Sequence, residues 1–201
     1  MNRTTIIAVF AVFFLPVVIA VLMHSDWFQW RPAETRNHGE LIQPPHALPD
    51  FRLHGTDGRV LERADLLDHW QLLHVSAGAC GEDCVETLYW MRQVRRAQDR
   101  HQPEVEITLV TNQPVATEVL SEIEALEANI RIIAAQAGRE LIDMLPESES
   151  GPVSYILDPQ ANIILRYPDG SDFNGMRRDL RRLLTWTRTD SPSPTLQQPD
   201  S

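Results

Sequence analysis

Apolar and polar positions change period several times along this chain. Ile6 to Met23, IIAVFAVFFLPVVIAVLM, carries no charge. A run of about 18 such residues is long enough to cross a bilayer as one helix, and Pro16 is tolerated in that setting. Trp27 and Trp30 follow where interfacial aromatic residues gather. The stretch 24–47 is polar, contains Pro32, Pro44 and Pro45, and reads as a tether. Phe51 to His54 and Arg59 to Leu61 flank Gly55-Thr56-Asp57-Gly58, a hairpin signal, and Arg63 to Asp68 reads as a short helical turn.

The middle of the chain alternates strand and helix patterns. Leu72-Leu73-His74-Val75 is a short apolar run, the mark of a buried strand. From Asp83 to about Arg100, Val85, Leu88, Tyr89, Met91 and Val94 recur at helical spacing. Val105 to Thr111 is β-branched and apolar, a second core strand. Thr117 to Ala128 is amphipathic and helical, with Val119, Leu120, Ile123 and Leu126 on one side. Ile130 to Ile133 suggests a short strand, and Gly138 to Leu145 a weaker helix ended by Pro146. Ser154–Leu157 and Asn162–Arg166 surround Asp158-Pro159-Gln160-Ala161 as a second hairpin, and Met176 to Trp186 closes the chain as a helix. This order predicts the α/β class, a central sheet flanked by helices. The expected division is 1–5 N-terminus, 6–23 anchor, 24–47 tether, 48–186 domain and 187–201 tail, the last rich in Ser, Pro, Thr and Asp.

Charge and compartment narrow the function. The formal net charge is −10 over 201 residues, which argues against nucleic acid as a partner. Arg3 precedes the apolar run, and Asp26 comes before the first following arginine, Arg31. The positive-inside rule then leaves the N-terminus cytoplasmic and the body outside, in a bacterium the periplasm. A cleaved signal peptide is the rival reading, but no small-x-small site follows the apolar run.

The candidate chemistry is two cysteines, Cys80 and Cys84, the only ones in the chain. They fall where the central strand ends and a helix begins. Helix starts leave free N–H groups and lower thiol pKa values, and residues at i and i+4 share a helix face, close enough for a disulfide. The same spacing suits a soft ion such as Cu(I). Glu82 and Asp83 between them favour the helix N-terminus but disfavour a neighbouring thiolate, which argues against a strong oxidant. Cys80 is expected on the exposed side as the attacking thiol, with Cys84 resolving. A structural disulfide is the plain alternative, although so small a loop stabilises by only about 2 kcal/mol.

Leu48-Pro49-Asp50-Phe51, the strand at 70–76, Cys80-Gly-Glu-Asp-Cys84 and Gly151-Pro152-Val-Ser-Tyr-Ile-Leu-Asp158 resemble the thioredoxin superfamily. With three residues between the cysteines, with Val75 to Cys80 and with the N-terminal apolar run, the chain resembles the Sco/SenC family of membrane-anchored copper-delivery and thiol-redox proteins. That resemblance implies a thioredoxin-like fold, thiol–disulfide exchange, copper held by Cys80 and Cys84, and a cytochrome c oxidase subunit or another assembly factor as partner. It also implies a third copper ligand, a histidine near Ser150. The segment here is Glu149-Ser150-Gly151-Pro152, and no histidine follows His101. Pro152 instead resembles the cis-proline that faces the thiols in thioredoxin-like reductases.

The remaining candidates have plainer readings. His74, on the central strand, could approach the thiols, but a satisfied core histidine is the ordinary role. His101 reads as a solvated charge partner at a helix end, and Met91 and Met144 as core filler. His24, His38 and His46 are too scattered for a metal site, and Arg177, Arg178, Arg181 and Arg182 form a solvated helix face. Three functions stay open: a Sco-like oxidase-assembly protein, a metal-free thiol–disulfide reductase, and a non-catalytic assembly protein with an inert disulfide.

Overall fold

The computed structural model describes residues 3, 12–15, 37–55, 60–76, 78–146, 148 and 151–186. The chain divides into two units, Met1–Arg36 and Asn37–Ser201. In the first, residues 12–15 are helical and exposed. Most of the expected anchor and the whole expected tail lie outside the described residues. Among the described residues no helix is long and apolar enough to cross a membrane.

The second unit is built on a six-stranded sheet of order β1-β8-β7-β4-β5-β6. The strands are β1 (Glu40–Ala47), β4 (Trp70–Ser76), β5 (Val105–Thr111), β6 (Arg131–Ile133), β7 (Val153–Leu157) and β8 (Asn162–Pro168). A separate antiparallel pair, β2 (Arg52–His54) and β3 (Val60–Glu62), forms the expected first hairpin. Among the described residues four α-helices accompany them: α1 (Glu82–Arg96), α2 (Thr117–Leu126), α3 (Ala135–Ile142) and α4 (Phe173–Trp186). β4, β5 and β6 are parallel, joined by helical crossovers, while β7, β8 and β1 add antiparallel neighbours.

β4 lies at the centre and is buried at every position. Its period of two divides the core. Trp70 and Leu72 pack with Leu88, Met91 and Val94 of α1 and with Met176, Leu180 and Leu184 of α4. Leu73 and Val75 pack on the other face with Leu141 of α3, Leu53 of β2 and Leu66. Gly138 lets α3 sit against the sheet, because a Cβ there would lie 1.9 Å from the Thr111 carbonyl oxygen.

Part of the expected tether is instead structure. Glu40–Ala47 is a sheet strand, paired to β8 with a register shift between Leu41 and His46. Prolines are acceptable there because an edge strand leaves one side without ladder bonds. The strand is held by a buried carboxylate. Asp179 of α4, 1% exposed, accepts hydrogen bonds from the backbone N–H groups of His38 (2.6 Å) and Gly39 (3.0 Å) and from the Tyr167 hydroxyl (2.9 Å). Burial and then the Asp179 charge push the Tyr167 hydroxyl far above its ordinary pKa, so it remains a donor. The domain therefore starts near residue 37, not 48.

α4 also starts earlier than expected. Asp172 accepts from the N–H groups of Asn174 and Gly175, a cap invisible to apolar periodicity. Of its arginines, Arg178 and Arg181 make surface pairs with Asp172 and Asp99. Arg182 turns inward to Asn37, beside the start of β1.

Candidate functional site

The chain leaves β4 at Ser76 and enters α1 through Gly81, the helix N-cap. The turn between them is pinned at Gly78, whose carbonyl accepts from Ser76 Oγ (3.1 Å) and Thr111 Oγ1 (2.8 Å). Parallel pairing sets Thr111 of β5 beside Ser76 of β4. Two strand ends thus hold the loop that carries Cys80. Cys80 precedes the helix, and Cys84 lies in its first turn.

The two sulfurs form a disulfide, with the Cα atoms 5.2 Å apart. Both residues are nearly covered, Cys80 at 5% and Cys84 at 6% exposure, and both touch the α1–α4 side of the core. They differ in what they face. A cleft of about 500 Å³ opens beside the helix start, lined by Cys84, His74, Ser76, Thr87, Pro152 and Asp169 among others. Cys80 is not among its lining residues. The sequence expectation placed Cys80 on the exposed side. Both cysteines are covered to the same degree, so neither has the exposure expected of Cys80, and Cys84 is the one that lines the cleft.

Pro152 does face the cleft with Cys84. It does not do so through a cis bond: among the described residues the cis peptide is Gln43–Pro44, and Gly151–Pro152 is trans. Gly151 makes the approach to β7 at a φ of 121°, a conformation open to glycine, so the chain turns there without a cis proline. The expected position of the family histidine, Ser150, lies outside the described residues.

His74 joins the same cleft. Strand alternation puts it on the Leu72 side of β4, and antiparallel pairing sets it opposite Ser154. Its Nδ1 lies 3.0 Å from Ser154 Oγ. Burial lowers its pKa from 6.5 to about 4, with the Asp169 carboxylate and the Val153 backbone pulling weakly the other way. The imidazole is therefore neutral at pH 7. It is the satisfied core histidine of the plain reading, and it also reaches the cleft.

Two contributors escaped the sequence reading. Asp169, just after β8, enters because β8 pairs with β7 in the register Val153 to Pro168. Ser154, opposite His74 in the β4–β7 pairing, bonds that ring and lines the smaller hollow beside the cleft. Nothing local in the sequence marks either residue, since both positions depend on strand order. The other candidates lie elsewhere. His101 pairs with Glu104 at 2.8 Å, His46 meets the Met144 carbonyl, and Met91 is buried beneath α1. His24 lies outside the described residues. Among the described residues no group of three or more His, Cys, Asp or Glu side chains is arranged to hold a metal ion.

A family model described as the transmembrane-like, thioredoxin-like C-terminal domain matches residues 70–187. The chain belongs to that family. The match spans the sheet centre, the cysteine turn and the closing helix, so the expected thioredoxin-like class stands.

Solved structures agree on the fold. Apo Sco1 from Thermus thermophilus superposes with a TM-score of 0.58 at 17% identity, over 76% of this chain and 99% of that one. Copper-bound ScoI from Arabidopsis thaliana gives 0.55 at 13%, over 69% and 98%. Copper-bound yeast Sco1 gives 0.55 at 11%, over 77% and 99%. A yeast mitochondrial 1-Cys peroxiredoxin also matches, at 0.55 and 16% identity, over 80% and 85%. The expected Sco resemblance is thus present in the architecture. No curated protein matches the sequence.

Proposed function

We propose that this protein is a Sco-like thiol–disulfide exchange protein of cytochrome c oxidase assembly. In this reading it is anchored by residues 6–23, with 1–5 in the cytoplasm and the domain in the periplasm. One observation carries the exchange chemistry: a disulfide at the end of the central strand has one sulfur-bearing residue, Cys84, facing an open cleft. A purely structural bond needs no such opening, and a loop this short stabilises by only about 2 kcal/mol.

The exchange runs as follows. A partner thiolate attacks Cys84 Sγ, the Cys80–Cys84 bond breaks, and Cys80 leaves as a thiolate that takes up a proton. A second partner thiol attacks the mixed disulfide and releases Cys84 as a thiol. Two partner thiols become one disulfide, and the protein becomes a dithiol. The reverse sequence reduces a partner. Cys80, which does not line the cleft, is the resolving residue in this reading. Neutral His74 lies in the same cleft and adds no positive charge there.

The test is trapping together with a redox measurement. With a small activated disulfide, Cys80→Ser should form a stable mixed disulfide at Cys84 faster than Cys84→Ser does at Cys80. The reduction potential should lie above about −300 mV, the region of exchangeable bonds. A lower potential, or no exchange, assigns the bond to structure. Fusion of alkaline phosphatase after residue 186 tests the orientation, with activity expected only if that point is exported.

Copper is a second reading, as cargo on the reduced pair. Among the described residues three carboxylates and no lysine or arginine line the cleft, which favours a cation, and thiolates suit Cu(I). The residues supply two soft donors without the third ligand of the Sco pattern, which makes a weaker site. Titration of the reduced full chain with Cu(I) decides it: one equivalent bound that is lost in Cys84→Ser supports delivery, and no saturable binding removes it.

A further inference from the structure

The cleft beside the disulfide has a charge pattern that names its substrate class. Glu82, Asp83 and Asp169 line it with Cys84, and among the described residues no lysine or arginine does. All three carboxylates are exposed to solvent. They come from two distant parts of the chain, the first turn of α1 and the turn after β8. Along α1 the same face continues into aromatic rings. Tyr89 and Trp90 are 39% and 41% exposed, and Trp90 stacks on Phe173 with ring centroids 6.1 Å apart. Phe173 lines a smaller hollow that shares His74, Thr87, Pro152 and Asp169 with the cleft. The cleft and the hollow thus lead to partly exposed aromatic side chains, and Glu86 accepts a hydrogen bond from the Trp90 indole N–H.

Carboxylates and aromatic faces attract the same ligand, a cation, and arginine satisfies both. The attacking species in exchange is an anionic thiolate, and three fixed negative charges repel it unless its surroundings carry positive charge. We propose that the exchange partner is a protein segment whose cysteine is flanked by arginine or lysine, and that this face discriminates against anionic thiols such as glutathione. The inference rests on the exchange reading of Cys84 and deepens it by naming the partner's chemistry.

The experiment uses the oxidised full chain in detergent and follows reduction of its disulfide. Cysteamine, 2-mercaptoethanol and 3-mercaptopropionate present thiolates of net charge 0, −1 and −2. Their rates are expressed per thiolate and divided by their rates with 2-hydroxyethyl disulfide, which removes intrinsic reactivity. The expected order is cysteamine, then mercaptoethanol, then mercaptopropionate, spanning about tenfold or more at low salt and collapsing near 1 M salt. The surface variant Glu82→Gln, Asp83→Asn, Asp169→Asn should flatten the order while mercaptoethanol still reacts. A reduced peptide with arginines beside its cysteine should outpace a glutamate counterpart, and Trp90→Leu should narrow that gap. Equal corrected rates for the three thiols overturn the charge selection and leave exchange intact. Failure of every thiol to reduce the disulfide overturns the exchange reading itself.

Discussion

Protonation of His74 should destabilise this protein at its centre. The imidazole is 3% exposed on the middle strand, and burial lowers its pKa from 6.5 to about 4. An unfolded chain binds the proton near pH 6.5, whereas the native one refuses it until near pH 4. Between those values the unfolded state holds more protons, so stability falls as the pH falls. The 6.5-to-4 gap corresponds to about 3 kcal/mol, of which about 2 kcal/mol is gone by pH 5 and nearly all below pH 4. That is a large part of the roughly 5–15 kcal/mol typical of a domain. The assay is urea unfolding of the oxidised full chain at half-unit steps from pH 7 to pH 4, beside a His74→Gln variant. Carboxylates titrate in both proteins, so the difference between them isolates the imidazole. The stability of the wild type relative to the variant should fall by about 3 kcal/mol across the range, following the window from pH 6.5 down to 4. NMR of the ring protons should show no titration near pH 6.5. A pH-independent difference, or a ring that titrates at its ordinary value, would refute the account of a buried neutral histidine.

Other expected outcomes concern packing and the disulfide. Asp179→Ala strands the His38 and Gly39 N–H groups and the Tyr167 hydroxyl, and should cost about 3 kcal/mol by urea unfolding; a loss below about 1 kcal/mol would mean that β1 does not depend on that carboxylate. Gly138→Ala drives a methyl group into the Thr111 carbonyl and should cost about 2 kcal/mol or more, read from the same curves. Reducing the disulfide should lower stability by only about 2 kcal/mol, so the dithiol form should remain folded by circular dichroism; global unfolding on reduction would assign the bond a structural role.

The apolar runs alone determined the central strands and the helix after them, because β4, β5 and α1 are buried enough for their periodicity to follow their packing. The same pattern brought the two cysteines to the junction of strand and helix, where they form their bond. Resemblance of local segments carried the thioredoxin-like class. Tertiary structure decided the rest. β1 is an edge strand whose polar, proline-containing sequence looks like a tether, and its place is settled by Asp179, some 140 residues away. Both cysteines are covered by the packed core, and Cys84 is the one that lines the cleft. Asp169 reaches the same cleft through the β7–β8 register, and the neutrality of His74 comes from being enclosed. Local sequence encodes the period of a chain. Burial, charge neighbourhood and access depend on which distant segments arrive beside it, and those properties set the chemistry of the site.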